Sequence, residues 1–169
     1  MPRKERERRY ITQCMKDTYP DMNWQLNVEL GPIPQELIDR YGMGGAAALF
    51  RPTRPRVDAV MWTPEAYYLI EAKLRAIKSG IGDLMFYRLQ AKLTYDLPFY
   101  DGQPIKAILF LPWMIDWMQA AAKEADIEIK VIWYDWINEY VQMRQNYFTS
   151  EWRTKRAETM RLRELFGVE

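Results

Sequence analysis

The apolar residues of the chain follow two spacings, one typical of helices and the other typical of strands. In residues 2–18, Tyr10, Ile11, Cys14 and Met15 recur at helical spacing, which predicts a basic amphipathic helix. Elsewhere, Pro and Gly bound the predicted helices, and turn residues bound short apolar runs that read as strands. The predicted helices are 2–18, 34–42, 83–95, 113–125, 135–148 and 150–166. The predicted strands are 24–30, 57–62, 67–73, 104–112 and 126–134.

The order of these elements predicts an α/β fold, a mixed sheet covered by helices. Residues 63–66 contain Pro64 and form the turn of a hairpin, so the strands on either side of them are antiparallel. The strand, helix and strand over 104–134 predict a parallel crossover. The segment 42–55, which is punctuated by Gly and Pro, is expected to be a loop or a loop with a short strand.

With 169 residues, of which 49% are hydrophobic, the chain can form one domain with a sizeable core. That domain is expected to span 1–169, with a core to about residue 135 and a helical extension over 135–169. The longest apolar stretch, residues 107–118, is interrupted by a Pro and an Asp and is too short to span a bilayer. The charged N-terminus has no apolar segment behind it. We therefore expect a cytoplasmic protein with no membrane partner.

The composition excludes several classes of chemistry. The chain has no His and one Cys, Cys14, which rules out intramolecular disulfides, Cys/His zinc sites and triads that depend on His. Any catalysis must then use carboxylates, Lys, Arg, Tyr or Ser. The net charge of +1 argues against nucleic-acid binding through bulk charge, so the positions of the charged residues carry more information than their sum.

Three charged residues stand in the apolar hairpin strands. If residues 63–66 form the turn, Trp62 pairs with Tyr67, Val60 with Leu69, and Asp58 with Glu71. Directly opposed residues have Cβ atoms about 5 Å apart on the same face of the sheet. Lys73, two residues beyond Glu71, shares that face.

Two carboxylates at that separation repel unless a positive charge lies between them. Oxygen ligands with few protein groups suit Mg²⁺. The hairpin therefore predicts a Mg²⁺ site formed by Asp58 and Glu71, with Mn²⁺ as a possible substitute.

An Asp, a short hairpin and then Glu71-Ala72-Lys73 at the end of an apolar strand, followed by a helix, resemble the PD-(D/E)XK nuclease superfamily. The resemblance covers roughly residues 55–135 and implies a restriction-endonuclease-like core of helix, three antiparallel strands, helix and strand. The further C-terminal helices would be additions to that core. The implied activity is hydrolysis of DNA phosphodiesters by metal-activated water, with RNA left open as a substrate.

The resemblance also implies roles for individual residues. Asp58, Glu71 and the carbonyl of Ala72 would hold the Mg²⁺, and Lys73 would position or activate the attacking water, which requires a lowered pKa if it acts as a base. In the RecB-like branch a Gln on the following helix faces the site, and Gln90 is the matching position. The aromatic residue expected after that Gln is one position late here, at Tyr95.

An acidic residue on the first helix often faces the metal in this superfamily. Glu7 on the first predicted helix and Glu29 on the next strand are the two alternatives. A second Glu-x-Lys, Glu128-Ile129-Lys130, is preceded by a helix rather than by a hairpin, so we interpret it as an ordinary strand end with solvated charges.

Four basic residues near the hairpin are the candidates for contacts with nucleic acid. Arg54 and Arg56 precede Asp58 and would reach the mouth of the site, where a phosphate backbone must pass. Lys78 lies at the start of the next helix, where phosphates can bind. Arg88 lies close to Gln90 on that same helix.

The last third of the chain is rich in aromatic residues, which suggests a face buried against another subunit or an assembly partner. These residues are Trp113, Trp117, Trp133, Tyr134, Trp136 and Tyr140. Two functions follow. The first is a nuclease for DNA processing in a phage or mobile element, in the host cytoplasm or the virion. The alternative is a catalytically silent module of a larger assembly, such as a phage head or neck.

Overall fold

The computed structural model describes residues 3–74 and 78–139, together with 141, 154, 157–159 and 161. The helices of that part of the chain are α1 (Arg3–Thr18), α2 (Gln35–Phe50), α3 (Ser79–Lys92) and α4 (Asp116–Glu124). Its strands are β1 (Asn23–Glu29), β2 (Arg56–Trp62), β3 (Tyr67–Ala72), β4 (Ile105–Leu111) and β5 (Ile127–Val131).

In the described residues the strands form one five-stranded sheet in the order β1-β2-β3-β4-β5. The first three strands are antiparallel neighbours, whereas β4 is parallel to β3 and β5 is parallel to β4. Both parallel pairs are joined by a helix, α3 in the first case and α4 in the second. The predicted α/β class, the hairpin and the parallel crossover are confirmed.

Helices cover both faces of the sheet. Tyr19, at the end of α1, packs edge-on against Phe110 of β4 with ring centroids 6.4 Å apart, which places this end of α1 on the Phe110 face. On the opposite face, Leu109 belongs to a buried cluster that also contains Leu84 of α3 and Met118 of α4. Because β3 and β4 are buried on both faces, they are apolar at nearly every position.

Gly80 allows α3 to approach the sheet closely. A Cβ atom at this position would lie 2.7 Å from Leu109 Cδ1 and 3.3 Å from Lys73 Cγ. The first turn of α3 therefore rests directly on the ends of β3 and β4. The helix begins at Ser79, earlier than the predicted start at residue 83.

The prediction of a loop over 42–55 is wrong for most of that segment. Gly42 has φ = 70°, as expected of a Gly that ends a helix, but the chain resumes a helical course and α2 continues to Phe50. The run Ala46-Ala47-Ala48 explains the continuation, since Ala has the highest helix propensity. A short 3₁₀ helix, Arg51–Thr53, then leads into β2.

The chain divides into two compact units, Met1–Ile132 and Trp133–Glu169. The division lies close to residue 135, where the helical extension was predicted to begin. Residues 136–139 are helical, as are 141, 154, 157–159 and 161, while the rest of the predicted helices 135–148 and 150–166 lies outside the described residues. No helix among the described residues is long and apolar enough to cross a membrane.

Candidate metal centre at the end of the hairpin

The β2–β3 register brings the predicted acidic pair together. Trp62 pairs with Tyr67 and Val60 with Leu69, as the turn at 63–66 predicted. The ladder ends at the pair Ala59–Ile70. Asp58 and Glu71 are therefore adjacent positions just beyond the last paired residues, at the point where the two strands separate.

Beyond this pair, hydrogen bonds from backbone N–H groups to side-chain carboxylates connect the two strands instead of backbone–backbone bonds. The backbone N–H of Asp58 donates to Glu71 Oε2 at 3.4 Å, and the backbone N–H of Ala72 donates to Asp58 Oδ2 at 3.0 Å. Each strand thus contributes a carboxylate that accepts a hydrogen bond from the other strand. The exchange holds the two carboxylates side by side between the strand ends.

Burial makes both carboxylates hard to ionise. It raises the pKa of Asp58 from 3.8 to about 6, although the Ala72 hydrogen bond and the Lys73 charge oppose the shift. Burial also raises the pKa of Glu71 from 4.5 to about 8, and the charge of Asp58 adds to the effect. The pair therefore favours a proton or a cation over two bare negative charges.

Lys73 is held between two carboxylates. Its Nζ lies 2.6 Å from Glu71 Oε1 and 2.8 Å from Asp83 Oδ2. Burial alone would lower the pKa of Lys73, but the Glu71 and Asp83 carboxylates outweigh it and raise the pKa above its usual value. This is opposite to the lowered pKa that a general base requires, so Lys73 stands in the site as an ammonium donor.

Asp83 and Tyr87 are site residues for which the sequence analysis gave no role. They lie four residues apart on α3 and so share one helix face. Burial raises the pKa of the Tyr87 hydroxyl, with contributions from the charges of Glu71, Asp83 and Asp58. The spacing of Asp83 and Tyr87 ahead of Gln90, at i, i+4 and i+7, was the signal that could have pointed to them.

The structure distinguishes the two alternatives for a further acidic residue. Glu29 Oε1 accepts from Arg51 Nε at 2.8 Å and lies 3.2 Å from Arg56 Nε, so its charge is neutralised by two arginines. Glu7 of α1 is close enough to Asp58 for its charge to raise the pKa of that carboxyl. Of the two, Glu7 is the one that acts on the candidate metal centre.

Asn27 lies on the other side of Asp58. The pairs Leu26–Ala59 and Val28–Val57 flank it, which places Asn27 opposite Asp58 across β1 and β2. Its φ of 55° is left-handed, an uncommon conformation for a residue inside a strand. The strand edge next to Asp58 therefore has a local distortion and an exposed amide side chain.

Gln90 is on the same helix as Asp83 but at its far end. Gln90 lies close to Gly31: a Cβ atom added at Gly31 would be only 2.9 Å from Gln90 Oε1. Gln90 also lines a cavity of about 360 Å³ with Gly31 and Arg54. Gln90 thus lies beside the end of β1, and among the described residues its side chain makes no hydrogen bond to the carboxylates of Asp58 and Glu71.

Two of the four predicted nucleic-acid contacts are engaged inside the protein. Arg54 is buried and donates to both carboxylate oxygens of Asp96, at 2.8 and 2.7 Å. Arg88 donates to the backbone carbonyls of Ala125 and Asp126, in the turn before β5. These guanidinium groups join elements of the fold, which differs from the predicted contact with phosphate.

Arg56 and Lys78 have the exposure that a phosphate contact needs. Arg56 precedes Asp58 on β2 and pairs with Glu29 while remaining exposed. Lys78 is exposed immediately before the first turn of α3. The two lie on chain segments that lead into and away from the charged ends of β2 and β3.

The second Glu-x-Lys lies apart from the candidate metal centre. Lys130 Nζ is 3.2 Å from Glu128 Oε1 on β5, and it also lies 5.1 Å from the centre of the Tyr19 ring. Glu128 is mostly exposed, as expected of solvated charges at a strand end. Its hydrogen-bonded neighbour is β4, without an opposing acidic residue on that strand.

The aromatic residues of the last third differ in exposure. Trp117 on α4 is exposed, and so is Trp133. The Tyr134 and Trp136 rings are stacked 6.3 Å apart. Tyr140 lies outside the described residues.

The donor set fits a hard divalent cation. The Asp58 and Glu71 carboxylates supply oxygen ligands of the kind that Mg²⁺ prefers, and the carbonyl of Ala72 is the further oxygen ligand that the resemblance implies. Burial is the main cause of the raised pKa of both acids, and the raised values persist although the Lys73 ammonium opposes them. Among the described residues, no group of three or more His, Cys, Asp or Glu side chains is placed to hold a metal, so water would have to complete the coordination.

Comparison of the chain with protein-family models, with curated proteins and with solved structures gives no match.

Proposed function

We propose that this chain is a Mg²⁺-dependent nuclease that hydrolyses DNA phosphodiesters, with a core of the PD-(D/E)XK type. One observation carries the proposal: the half-buried Asp58 and the buried Glu71 lie side by side where β2 and β3 separate, with the Lys73 ammonium 2.6 Å from Glu71. The order α1, three antiparallel strands, α3 and β4 supports it, because that is the element order of the superfamily core. In this proposal α2, α4 and β5 are additions.

Each residue of the centre has a role in this proposal. Asp58, Glu71 and the Ala72 carbonyl would hold the cation, with Mn²⁺ able to replace Mg²⁺. When bound, the cation supplies Lewis-acid polarisation of the scissile phosphate and an acidified water as nucleophile. Lys73 donates hydrogen bonds from its ammonium group toward the attacking water or the phosphate oxygen, which orients the reacting groups.

Two further groups extend the proposal along α3. The Tyr87 hydroxyl keeps its proton because its pKa is raised, so it is a permanent donor facing the charges of the centre. Gln90 supports the end of β1, which lies beside Asp58's strand. Arg56 and Lys78, both exposed, contact the backbone phosphates on either side of the cleaved bond. DNA processing in a phage or mobile element is the setting that we infer for such a small nuclease.

The proposal is tested by incubating the purified chain with duplex, single-stranded and branched DNA in Mg²⁺, in Mn²⁺ and in EDTA. Cleavage is expected with either cation and not in EDTA. Glu71→Gln should abolish it, whereas Glu128→Gln, the same change in the second Glu-x-Lys, should leave it intact. Loss of cleavage in both variants, or cleavage in neither the wild type nor any variant, would contradict the proposal.

A second candidate function is favoured by the outer face of α3. Four large apolar side chains are exposed along it: Met85, Phe86, Leu89 and Leu93. An exposed apolar stripe on a helix is typical of a protein contact. A catalytically silent module in a larger assembly would explain the stripe, and it would bind partners while cleaving no DNA under any of the conditions above.

A further inference from the structure

Asp83 forms the second half of the cradle that holds Lys73. The Lys73 ammonium lies 2.8 Å from Asp83 Oδ2, while Glu71 Oε1 lies 2.6 Å away on its other side. The hydroxyl of Ser79, one turn earlier on α3, lies 3.2 Å from the same Asp83 oxygen. Asp83 is thus fixed by its own helix and directed at the lysine.

The two carboxylates around Lys73 differ in what surrounds them. The Glu71 side chain is 5% exposed and belongs to the candidate metal centre, whereas the Asp83 side chain is 36% exposed and belongs to α3. A cation that binds Glu71 must compete with the ammonium for the same carboxylate. The ammonium can give up Glu71 at low cost only if a second acceptor already holds it.

We propose that Asp83 is a positioning residue that retains the Lys73 ammonium when Glu71 takes a divalent cation. The proposal rests on the function proposed above and adds a residue that the PD-(D/E)XK pattern did not supply. Asp83 does not bind the cation in this proposal. It acts through Lys73, by keeping the ammonium off Glu71 and at a fixed distance from the centre.

The close packing at Gly80 supports this role. The first turn of α3 rests on Leu109 and on the side-chain stem of Lys73, so Asp83 is held at a defined height above the strand ends. If Asp83 is neutralised, Glu71 is the remaining carboxylate within salt-bridge distance of Lys73 in the described part of the chain. The ammonium then becomes a stronger competitor of the cation.

A double-mutant cycle on cation affinity tests the proposal without relying on activity. Mg²⁺ and Mn²⁺ binding is measured by titration calorimetry for the wild type, Asp83→Asn, Lys73→Met and the double variant. Asp83→Asn should weaken binding by about tenfold, a coupling in the range seen for contacting groups. In the Lys73→Met background the same change should have little effect, because the competing ammonium is absent.

Two further variants separate this role from a general effect of charge or folding. Asp126→Asn removes one negative charge from the turn where Arg88 binds and should leave cation affinity unchanged. Ser79→Ala keeps every charge and removes the hydroxyl beside Asp83, so a smaller loss that also disappears with Lys73→Met is expected. Asp83→Glu should restore part of the affinity.

The outcomes are distinct. If Asp83→Asn costs the same affinity with and without Lys73, Asp83 acts by its own charge or as a ligand, and the proposal is overturned while the nuclease function stands. If the wild type binds neither cation, the proposed function fails, and the role of Asp83 fails with it. If Asp83→Asn or Ser79→Ala folds normally and weakens cation binding only when Lys73 is present, the proposal is supported.

Discussion

Asp58 and Ala72 are joined by a hydrogen bond across the gap between β2 and β3, from the Ala72 backbone N–H to Asp58 Oδ2 at 3.0 Å. The bond stands where the next rung of the β ladder would lie, one position past the pair Ala59–Ile70. It fixes the orientation of one carboxyl oxygen at a residue whose carbonyl is a proposed cation ligand. Backbone and side chain are therefore ordered together at this point, before any ligand binds.

Asp58→Asn should stabilise the fold while it abolishes function. The Asn side-chain oxygen can still accept from the Ala72 N–H, but the half-buried negative charge beside Glu71 is gone. We expect the free energy of unfolding at pH 8 to rise by about 1 kcal/mol in EDTA, because a carboxylate held partly out of water beside a second carboxylate is costly even with the Lys73 ammonium nearby. Urea denaturation measures the change, and cleavage should be lost. A destabilised Asp58→Asn protein would show that the charge is already compensated in the fold.

The stability of the metal-free protein should fall as pH rises. For Asp58 and Glu71 the folded pKa, about 6 and about 8, exceeds the ordinary values of 3.8 and 4.5. The folded state thus binds more protons, and this contribution is complete below about pH 4 and disappears as the pH passes through the folded pKa values.

Chemical denaturation from pH 4 to pH 8.5 in EDTA is the measurement for this pH dependence. Glu71→Gln should flatten the decline because it removes the group with the larger shift. Added Mg²⁺ should stabilise the protein more at pH 8 than at pH 5, since the cation replaces the protons. A metal-free stability that rises between pH 5 and pH 8 would contradict the assignment.

Tyr87→Phe should lower the cleavage rate without changing the fold. The substitution removes only the hydroxyl, and the ring keeps its packing against the buried cluster. We expect a loss of about tenfold in kcat, in the range of a single positioned donor to developing charge, with KM for DNA nearly unchanged. Steady-state kinetics give the two constants separately. Tyr95→Phe, at an exposed ring beyond the end of α3, is the matched control and should behave as wild type.

Substitution of Arg54 should lower stability, whereas substitution of Arg56 should weaken nucleic-acid binding. Arg54→Met leaves the Asp96 carboxylate without its bidentate partner and should cost about 3 kcal/mol of unfolding free energy, because half of a largely buried ion pair remains. Arg56→Gln removes an exposed charge and should leave stability within about 0.5 kcal/mol. DNA affinity measured against salt concentration should show a shallower slope for Arg56→Gln. Equal effects of both changes on stability and on binding would contradict this division.

The hairpin and its acidic pair could be predicted because they depend on local information. A turn at 63–66 and strict alternation along two strands determine which side chains oppose each other, and no distant residue enters that argument. The β4–α4–β5 crossover followed from the same reasoning. Once Trp62 pairs with Tyr67, the same register makes Asp58 and Glu71 neighbouring positions at the other end of the hairpin.

The partners of the arginines and of Lys73 could not be predicted in the same way. Arg54 is neutralised by Asp96, and Arg88 binds carbonyls before β5, so each depends on how α3 lies across the sheet. Asp83 was expected at the first turn of a helix, but its contact with Lys73 requires knowing which face of α3 meets the strand ends. The continuation of α2 past Gly42 is a different case, in which helix propensity outweighed a residue that usually ends helices.

Because residue 80 is a glycine, the geometry of the whole centre depends on a position that carries no side chain. A methyl group there would lie 2.7 Å from Leu109 Cδ1 and 3.3 Å from Lys73 Cγ. Because Leu109 is fully buried and has little room to turn aside, we expect part of the relief to come by lifting the first turn of α3 away from β3 and β4. Asp83 would move with that turn, and the 2.8 Å separation from the lysine nitrogen would widen. The distance between an ammonium group and its acceptor is thus governed three residues away, by a glycine that has no functional group of its own.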